Sequence, residues 1–155
     1  IAIVRPTATY GQYDNFDPVT SHVIPALIRR ALFHNEGPFE VWGSGNEIRD
    51  FLHVKDLIRG SLLTLEKEAS CNPINIGYGK TILISELVNE ILKAVGKEKL
   101  EVFFDTTKPT AIPVRTVDTS KAKKLLGFTP EISLKEGITN TVRWYENFIS
   151  TETEN

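Results

Sequence analysis

Ile1-Ala2-Ile3-Val4-Arg5-Pro6 is a β-branched apolar run that begins at the first position and stops at a proline. Such a run fits a parallel strand buried on both faces, where no polar alternation is needed. A buried parallel strand requires crossover connections and covering helices, which commits the chain to an α/β or α+β architecture. A central strand is an unusual place to start. The expectation is therefore a piece of a longer protein, beginning just before a core strand.

The rest of the chain supplies the covering elements. Thr7 to Ser21 reads as a polar loop, longer than a plain connection and so a candidate functional loop. An apolar helical pattern follows over about Ile24 to His34, with Pro25 confined to its first turn and Gly37-Pro38 beyond its end. Phe39 to Trp42 reads as a strand, Gly43-Ser44-Gly45-Asn46 as a turn, and Ile48 to Val54 as the partner strand of a hairpin. A helix is expected from about Lys55 to Glu68, with Leu57, Leu62 and Leu65 on its buried stripe. Pro73 to Gly77 is a strand. Ser85 is placed as the N-cap of a helix ending at Gly96. Leu100 to Phe104 is a strand, and a short helix runs from Thr119 or Ser120 to Gly127. A last helix opens on the near capping box Ser133-Leu134-Lys135-Glu136 and carries Leu134, Ile138, Val142, Tyr145 and Ile149 at helical spacing. Residues 150–155 read as a frayed polar tail.

Bulk properties narrow the function. At 155 residues with 41% hydrophobic and 25% charged, the chain suffices for one ordinary core. A net charge of −2 provides no global field for nucleic acid or an anionic membrane. Cys71 is the single cysteine, which excludes an internal disulfide and a four-cysteine zinc site and fits a reducing compartment. It also has no basic neighbour in sequence that would activate it. No apolar run is long enough to span a bilayer, and no signal-peptide pattern is present. The three histidines are too far apart in sequence to suggest a metal site, and none is expected. No glycine-rich phosphate loop exists, because Gly43-Ser44-Gly45 opens onto a strand rather than a helix.

The polar residues best suited to chemistry are His22, Arg30, Trp42 and Arg49. An arginine fork matches phosphate oxygens, and a ring beside it on a paired strand would hold a nucleotide base. The same residues also admit an ordinary reading, with Arg49 pairing to Asp50 or Asp56 and Trp42 packed in the core. An imidazole suits proton transfer to a carbon acid, which makes His22 a candidate, yet it is equally placed to be a helix-start residue facing solvent. Arg115 is a second-rank phosphate candidate. His34 and His53 read as structural, and Asp118 as part of a helix start.

"RPTATYGQYDNFDP…SHVIPALIRR" and "VWGSGNEIRDFLHVKDL" resemble the second half of the GDP-L-fucose synthase family of epimerase/reductases. "INIGYGKTILISELVNEI" and "VRTVDTSKAKKLLGFTPEISLKEGI" are similar to the wider NAD-dependent epimerase/dehydratase family of the extended short-chain dehydrogenase/reductase superfamily. The resemblance runs from Ile1 to about Asn147. It implies that residues 1–155 are the C-terminal substrate-binding portion, an α/β unit made of the end of a Rossmann sheet and a small substrate-binding domain. The glycine-rich dinucleotide loop and the Tyr-x-x-x-Lys pair have no counterpart in this sequence, so NADP or NAD would be held mostly by an N-terminal half, and the fragment alone would be inactive. Carried over by position, Pro6, Thr7, Ala8 and Thr9 would line the nicotinamide end of the cofactor site. His22 would touch the cofactor and act as an acid/base in epimerisation, with a cysteine of the other half as its partner. Arg30, Trp42 and Arg49 would contact a nucleotide-diphosphate sugar, a GDP-sugar in the first instance. The family's Lys-Pro-Asp-Gly loop reads Lys-Pro-Thr-Ala here, with Thr110 where the substrate-binding aspartate stands. That departure leaves room for a 4-epimerase or dehydratase acting on a UDP-, dTDP- or CDP-sugar, or for a module that only binds the sugar nucleotide. The resemblance also implies a cytoplasmic full-length homodimer.

Overall fold

The computed structural model describes residues 1–110 and 112–153. Its elements alternate irregularly between strand and helix, in a mixed α/β arrangement whose strands are mostly parallel. Strand β1 (Val4–Pro6) and strand β2 (Ala8–Tyr10) follow each other directly, then comes helix α1 (Val23–Leu32). Strands β3 (Phe39–Trp42), β4 (Ile48–Arg49) and β5 (Phe51–His53) lead into helix α2 (Val54–Lys67). Strands β6 (Ile74–Ile76) and β7 (Ile82–Leu83) precede helix α3 (Ile84–Ala94). Strands β8 (Val102–Asp105) and β9 (Val114–Arg115), then helices α4 (Ser120–Leu126) and α5 (Leu134–Thr153), complete the chain.

The pairing is parallel for β1 with β6, β2 with β5, and β3 with β8. Strand β4 lies between β7, antiparallel, and β9, parallel. The expected hairpin between Phe39–Trp42 and Ile48–Val54 is therefore absent. Two glycines in left-handed backbone, Gly43 at φ 101° and Gly45 at φ 78°, turn the chain out of the β3 direction. The Glu47 carboxylate then accepts from the Ser44 N–H at 3.0 Å and the Ser44 hydroxyl at 3.1 Å, closing a compact loop in place of a two-stranded turn. The expected second arm is broken as well. Asp50 interrupts it, its carboxylate receiving the N–H groups of Tyr78 and Gly79, both at 2.9 Å.

The strand buried on both faces is β5, not β1. Phe51 enters a core built from α1, α3, α5 and β3, while Leu52 enters a second core with Ile74, Ile76, Ala122, Leu126 and Phe128. Strand β1 has β6 as its one neighbour among the described residues, and Ile1 is 82% exposed. Ala8 to Tyr10, expected as loop, is a strand because the main chain of β5 offers it a parallel ladder.

Helix α1 starts after His22, with Pro25 in its first turn, where a missing N–H costs no helical bond. Ile24, Leu27, Ile28 and Ala31 are its buried face. Helix α3 begins earlier than its expected cap: Ser85 lies inside it, and the Glu86 carboxylate reaches back to the Leu83 N–H at 3.1 Å. At its other end Gly96 takes φ 71°, the Gly96 N–H donates to Lys93 O at 3.1 Å and the Lys97 N–H to Leu92 O at 2.8 Å. This Schellman closure aims the Lys97 ammonium at the end of α1, where it donates to the carbonyls of Ala31, Leu32 and His34 at 2.9 to 3.0 Å.

Helix α2 reverses its expected stripe. Asp56, Gly60 and Thr64 are buried, whereas Leu62 and Leu65 are exposed and Leu57 is half-buried. Close packing is the reason: a Cβ on Gly60 would lie 2.8 Å from Ile76 Cγ2 and 3.1 Å from Phe128 Cε2, so only a small-residue face fits. Helix α5 buries Ile138, Val142 and Tyr145 as expected and is closed at its start by Ser133 Oγ, which accepts from the Glu136 N–H at 3.2 Å. It also continues through the expected tail as far as Thr153, and residues 154 and 155 lie outside the described residues. The Ser150 hydroxyl caps a helical carbonyl, that of Glu146, at 2.9 Å. Among the described residues no helix is long and apolar enough to cross a membrane.

His53 is packed inside, 2% exposed, edge-on to Tyr10 at 5.5 Å, with Nδ1 accepting from the Lys55 N–H at 3.4 Å. Burial, aided by the Lys55 charge, holds its pKa below the ordinary 6.5, against a smaller opposing pull from Asp56 and Glu136. The folded state thus keeps His53 neutral while the unfolded chain takes up the proton more readily. This contribution to stability is complete above the unfolded pKa and is lost as pH falls below it. The urea midpoint is expected to drop between about pH 7.5 and about pH 5.5, and His53→Gln to flatten that dependence. A drop of equal size in the variant would assign the effect to other groups.

Candidate functional site

The carboxyl ends of β1 and β2, the first turns of α1, the end of β3, strand β4 and the loop before β9 surround one cavity of about 1010 Å³. Clefts at the carboxyl edge of parallel strands are where α/β proteins take ligands. Every residue singled out from the sequence lines it: Pro6, Thr7, Ala8 and Thr9 from β1 and β2, His22 and Arg30 from α1, Trp42 from β3, Arg49 from β4, and Thr110 from the later loop. Arg115 lines it too.

The two arginines are steered by the main chain and not by carboxylates. Arg30 lies over the Phe39 ring at 5.4 Å and donates one terminal nitrogen to Glu40 O. Arg49 donates Nη1 to Ile48 O at 2.7 Å and to Pro113 O at 3.1 Å. Each guanidinium has five N–H donors in a plane, so most of each fork is left for a ligand. The surface-pairing alternative for Arg49 does not occur. Asp50 is taken by the Tyr78 and Gly79 N–H groups and by the Thr7 hydroxyl at 3.3 Å, and Asp56 binds Arg59 at 2.9 Å. Nor is Trp42 core: it is 56% exposed, with Nε1 donating to Glu40 Oε1 at 3.2 Å. Trp42 and Arg49 meet at the cavity without a hairpin, because β3 is held by β8 and β4 by β9.

His22 is the N-cap residue of α1, but its ring makes no capping bond and is exposed at the cavity. Thr7 to Thr9 present small side chains beside it, with the Thr9 hydroxyl donating to Thr7 O at 3.2 Å.

Three acidic residues of the cavity wall were missed from the sequence: Asp14, Glu47 and Asp50. Burial raises Glu47, but the Ser44 N–H and hydroxyl, with further backbone donors of the same turn, outweigh it and keep the carboxylate ionised below its ordinary range. Asp14 is half-buried, and its burial lifts it above the ordinary carboxylate value. A turn rich in Asp and Asn is the one signal that pointed toward Asp14, and turn-forming residues are too common for it to stand out. Among the described residues no group of three or more His, Cys, Asp or Glu could hold a metal ion.

Residues 1–77 match the family model described as the NAD dependent epimerase/dehydratase family. The putative GDP-L-fucose synthase 2 of Arabidopsis thaliana is 43% identical over 148 residues, covering 93% of this chain and 44% of that protein. The chain thus spans about half the length of the curated relatives it matches. Among solved structures, UDP-glucose 4-epimerase of Thermotoga maritima with UDP-glucose superposes with a TM-score of 0.83 at 26% identity, covering 94% of this chain and 46% of that one. UDP-glucuronic acid 4-epimerase of Bacillus cereus, in complex with UDP-glucuronic acid and NAD, gives 0.80 at 27% identity, covering 96% and 46%.

Proposed function

We propose that the chain belongs to the NAD dependent epimerase/dehydratase family, whose model matches residues 1–77, and that it forms the substrate-binding portion of an NAD(P)-dependent nucleotide-sugar epimerase/reductase of the GDP-L-fucose synthase type. The observation that carries this reading is the convergence of Arg30, Trp42 and Arg49 with His22 on one cavity from separate elements.

In this reading Arg30 and Arg49 clamp the diphosphate, and Trp42 lies against the base. Binding energy gathered at the nucleotide fixes the sugar next to His22. A 4-keto group makes the neighbouring sugar carbons acidic, and His22, whose ring makes no hydrogen bond among the described residues, moves a proton at such a carbon. Pro6 to Thr9 face the nicotinamide end of the cofactor, which supplies hydride exchange at the sugar when bound; NADP suits a net reductase. The complete enzyme is read as a cytoplasmic homodimer. A second reading, a 4-epimerase or dehydratase working on a UDP- or dTDP-sugar, draws on Thr110 in the Lys-Pro-Thr-Ala loop and on the fold shared with UDP-sugar epimerases.

Calorimetric titration of the chain with GDP, UDP and dTDP decides between them. Saturable binding with GDP tightest is the expected result. Preference for UDP or dTDP would move the assignment to the second reading, and no binding of any of the three would overturn both.

A further inference from the structure

We propose that Glu40 is the positioning residue for Trp42, its carboxylate accepting the indole N–H and fixing the plane on which a base stacks. The identity of the ligand rests on the nucleotide-sugar reading; the coupling of Glu40 to Trp42 does not.

Strand β3 sorts its side chains by alternation. Phe39 and Val41, 1% and 3% exposed, enter the core, so Glu40 and Trp42 share the opposite face. Parallel pairing with β8, Glu40 against Phe103 and Trp42 against Asp105, fixes the backbone beneath them. Two residues apart on one face, the Glu40 carboxylate reaches the indole, and Trp42 Nε1 donates to Oε1 at 3.2 Å.

Other carboxylates near Trp42 are committed elsewhere. Asp105, across the ladder, accepts from the Thr107 N–H at 2.9 Å and the Thr107 hydroxyl at 2.6 Å. Glu47, on the loop after β3, is held by Ser44. The half-buried Glu40 is thus the acceptor that selects among the rotamers open to an exposed indole.

The same residue anchors Arg30. Arg30 Nη2 donates to the main-chain carbonyl of Glu40, and the guanidinium lies over the Phe39 ring at 5.4 Å. Among the described residues no ion pair joins Arg30 to the Glu40 carboxylate, so the charge of the fork is kept for a ligand. Arg30 and Trp42 line the cavity whereas Glu40 does not, so Glu40 acts on a ligand through these two. In a nucleoside diphosphate the ribose sets the span between base and phosphates. One residue that anchors both the stacking ring and the phosphate fork matches that span before the ligand arrives, which lowers the ordering cost of binding. Holding the fold does not require the Glu40 side chain, because β3 is already fixed by Phe39, Val41 and β8.

Indole ¹H–¹⁵N spectra and calorimetric titration of the 155-residue chain test the proposal. Two tryptophans are present, so Trp144 is the internal reference and Trp42→Phe identifies the other indole signal. Glu40→Ala should move the Trp42 indole N–H upfield and leave that of Trp144 in place. Glu40→Gln, which keeps an acceptor oxygen, should restore most of the shift. GDP and guanosine should both bind Glu40→Ala more weakly, by about 2- to 10-fold, the usual worth of one hydrogen bond. Glu40→Gln should lose less with both. The proposal falls if the Trp42 signal is unchanged in Glu40→Ala, if guanosine binds that variant as well as it binds the parent, or if Gln does no better than Ala. Failure of the parent to bind GDP or guanosine, with the indole response intact, would overturn the nucleotide-sugar reading and not the coupling of Glu40 to Trp42.

Discussion

Asp56→Ala is expected to remove about 2–6 kcal/mol of folding stability, because two backbone N–H groups lose the buried carboxylate that accepts them. Asp56 is 2% exposed, and its carboxylate ties helix α2 to the segment before α5. It accepts from Arg59 Nη2 at 2.9 Å, from the Glu131 N–H at 3.0 Å and from the Ile132 N–H at 2.9 Å. Arg59 extends the link, lying over the Phe128 ring at 4.8 Å, reaching Glu131 at 3.3 Å and donating to Thr129 O. Alanine would leave two backbone donors and a guanidinium without their acceptor, where each neutral loss costs about 1–3 kcal/mol. Set against the roughly 5–15 kcal/mol that holds a typical domain together, the change would unfold a large share of the chain near 37 °C. Urea denaturation at neutral pH measures it through the midpoint. Asp56→Asn keeps one acceptor oxygen and should lose clearly less. A loss below about 1 kcal/mol for alanine would mean that the segment before α5 finds other partners.

The second large effect concerns binding. Arg49→Met keeps most of the apolar length of the side chain and removes the charged fork. A charge-assisted contact to a phosphate is worth about 1.5–3 kcal/mol, so GDP should bind roughly 10- to 150-fold more weakly. Arg30→Met should behave alike. Guanosine, which has no phosphate, is the control: its affinity should be nearly unchanged in both variants. Equal losses for guanosine and GDP would show that the arginines shape the cavity without touching the diphosphate. Arg49 also bonds Pro113 O, so the variant's urea midpoint must be compared with that of the parent before the binding difference is interpreted.

Helices were legible because their signals are local. Pro25 fixed the start of α1, Gly96 and Gly127 marked the ends of α3 and α4, and the apolar spacing of Ile138, Val142 and Tyr145 gave α5 its buried side. Sheet pairing was not local. Phe39 pairs with Val102, across a separation no turn residue encodes, so Gly43-Ser44-Gly45 suggested a hairpin with the nearest strand instead. The stripe on α2 failed for a related reason: Gly60 and Asp56 face inward because Ile76, Phe128 and the Glu131 N–H come from elsewhere in the chain. At the cavity, the arginines, the histidine and the tryptophan stood out by residue type and by resemblance to known motifs. Asp50 did not, since its importance lies in which N–H groups approach it after folding.

Strand β5 has one further consequence. Its consecutive residues Phe51 and Leu52 belong to different cores, and Asp50, just before them, ties β5 to the turn after β6. Neither core can come apart without breaking the ladder that the other needs. The chain should therefore open as one cooperative unit, with the amides of Phe51 to His53 exchanging with solvent only through global unfolding. Arg49 and Trp42 are then carried by a scaffold that is either wholly present or wholly lost, which keeps a ligand site of many small contributions from loosening piece by piece.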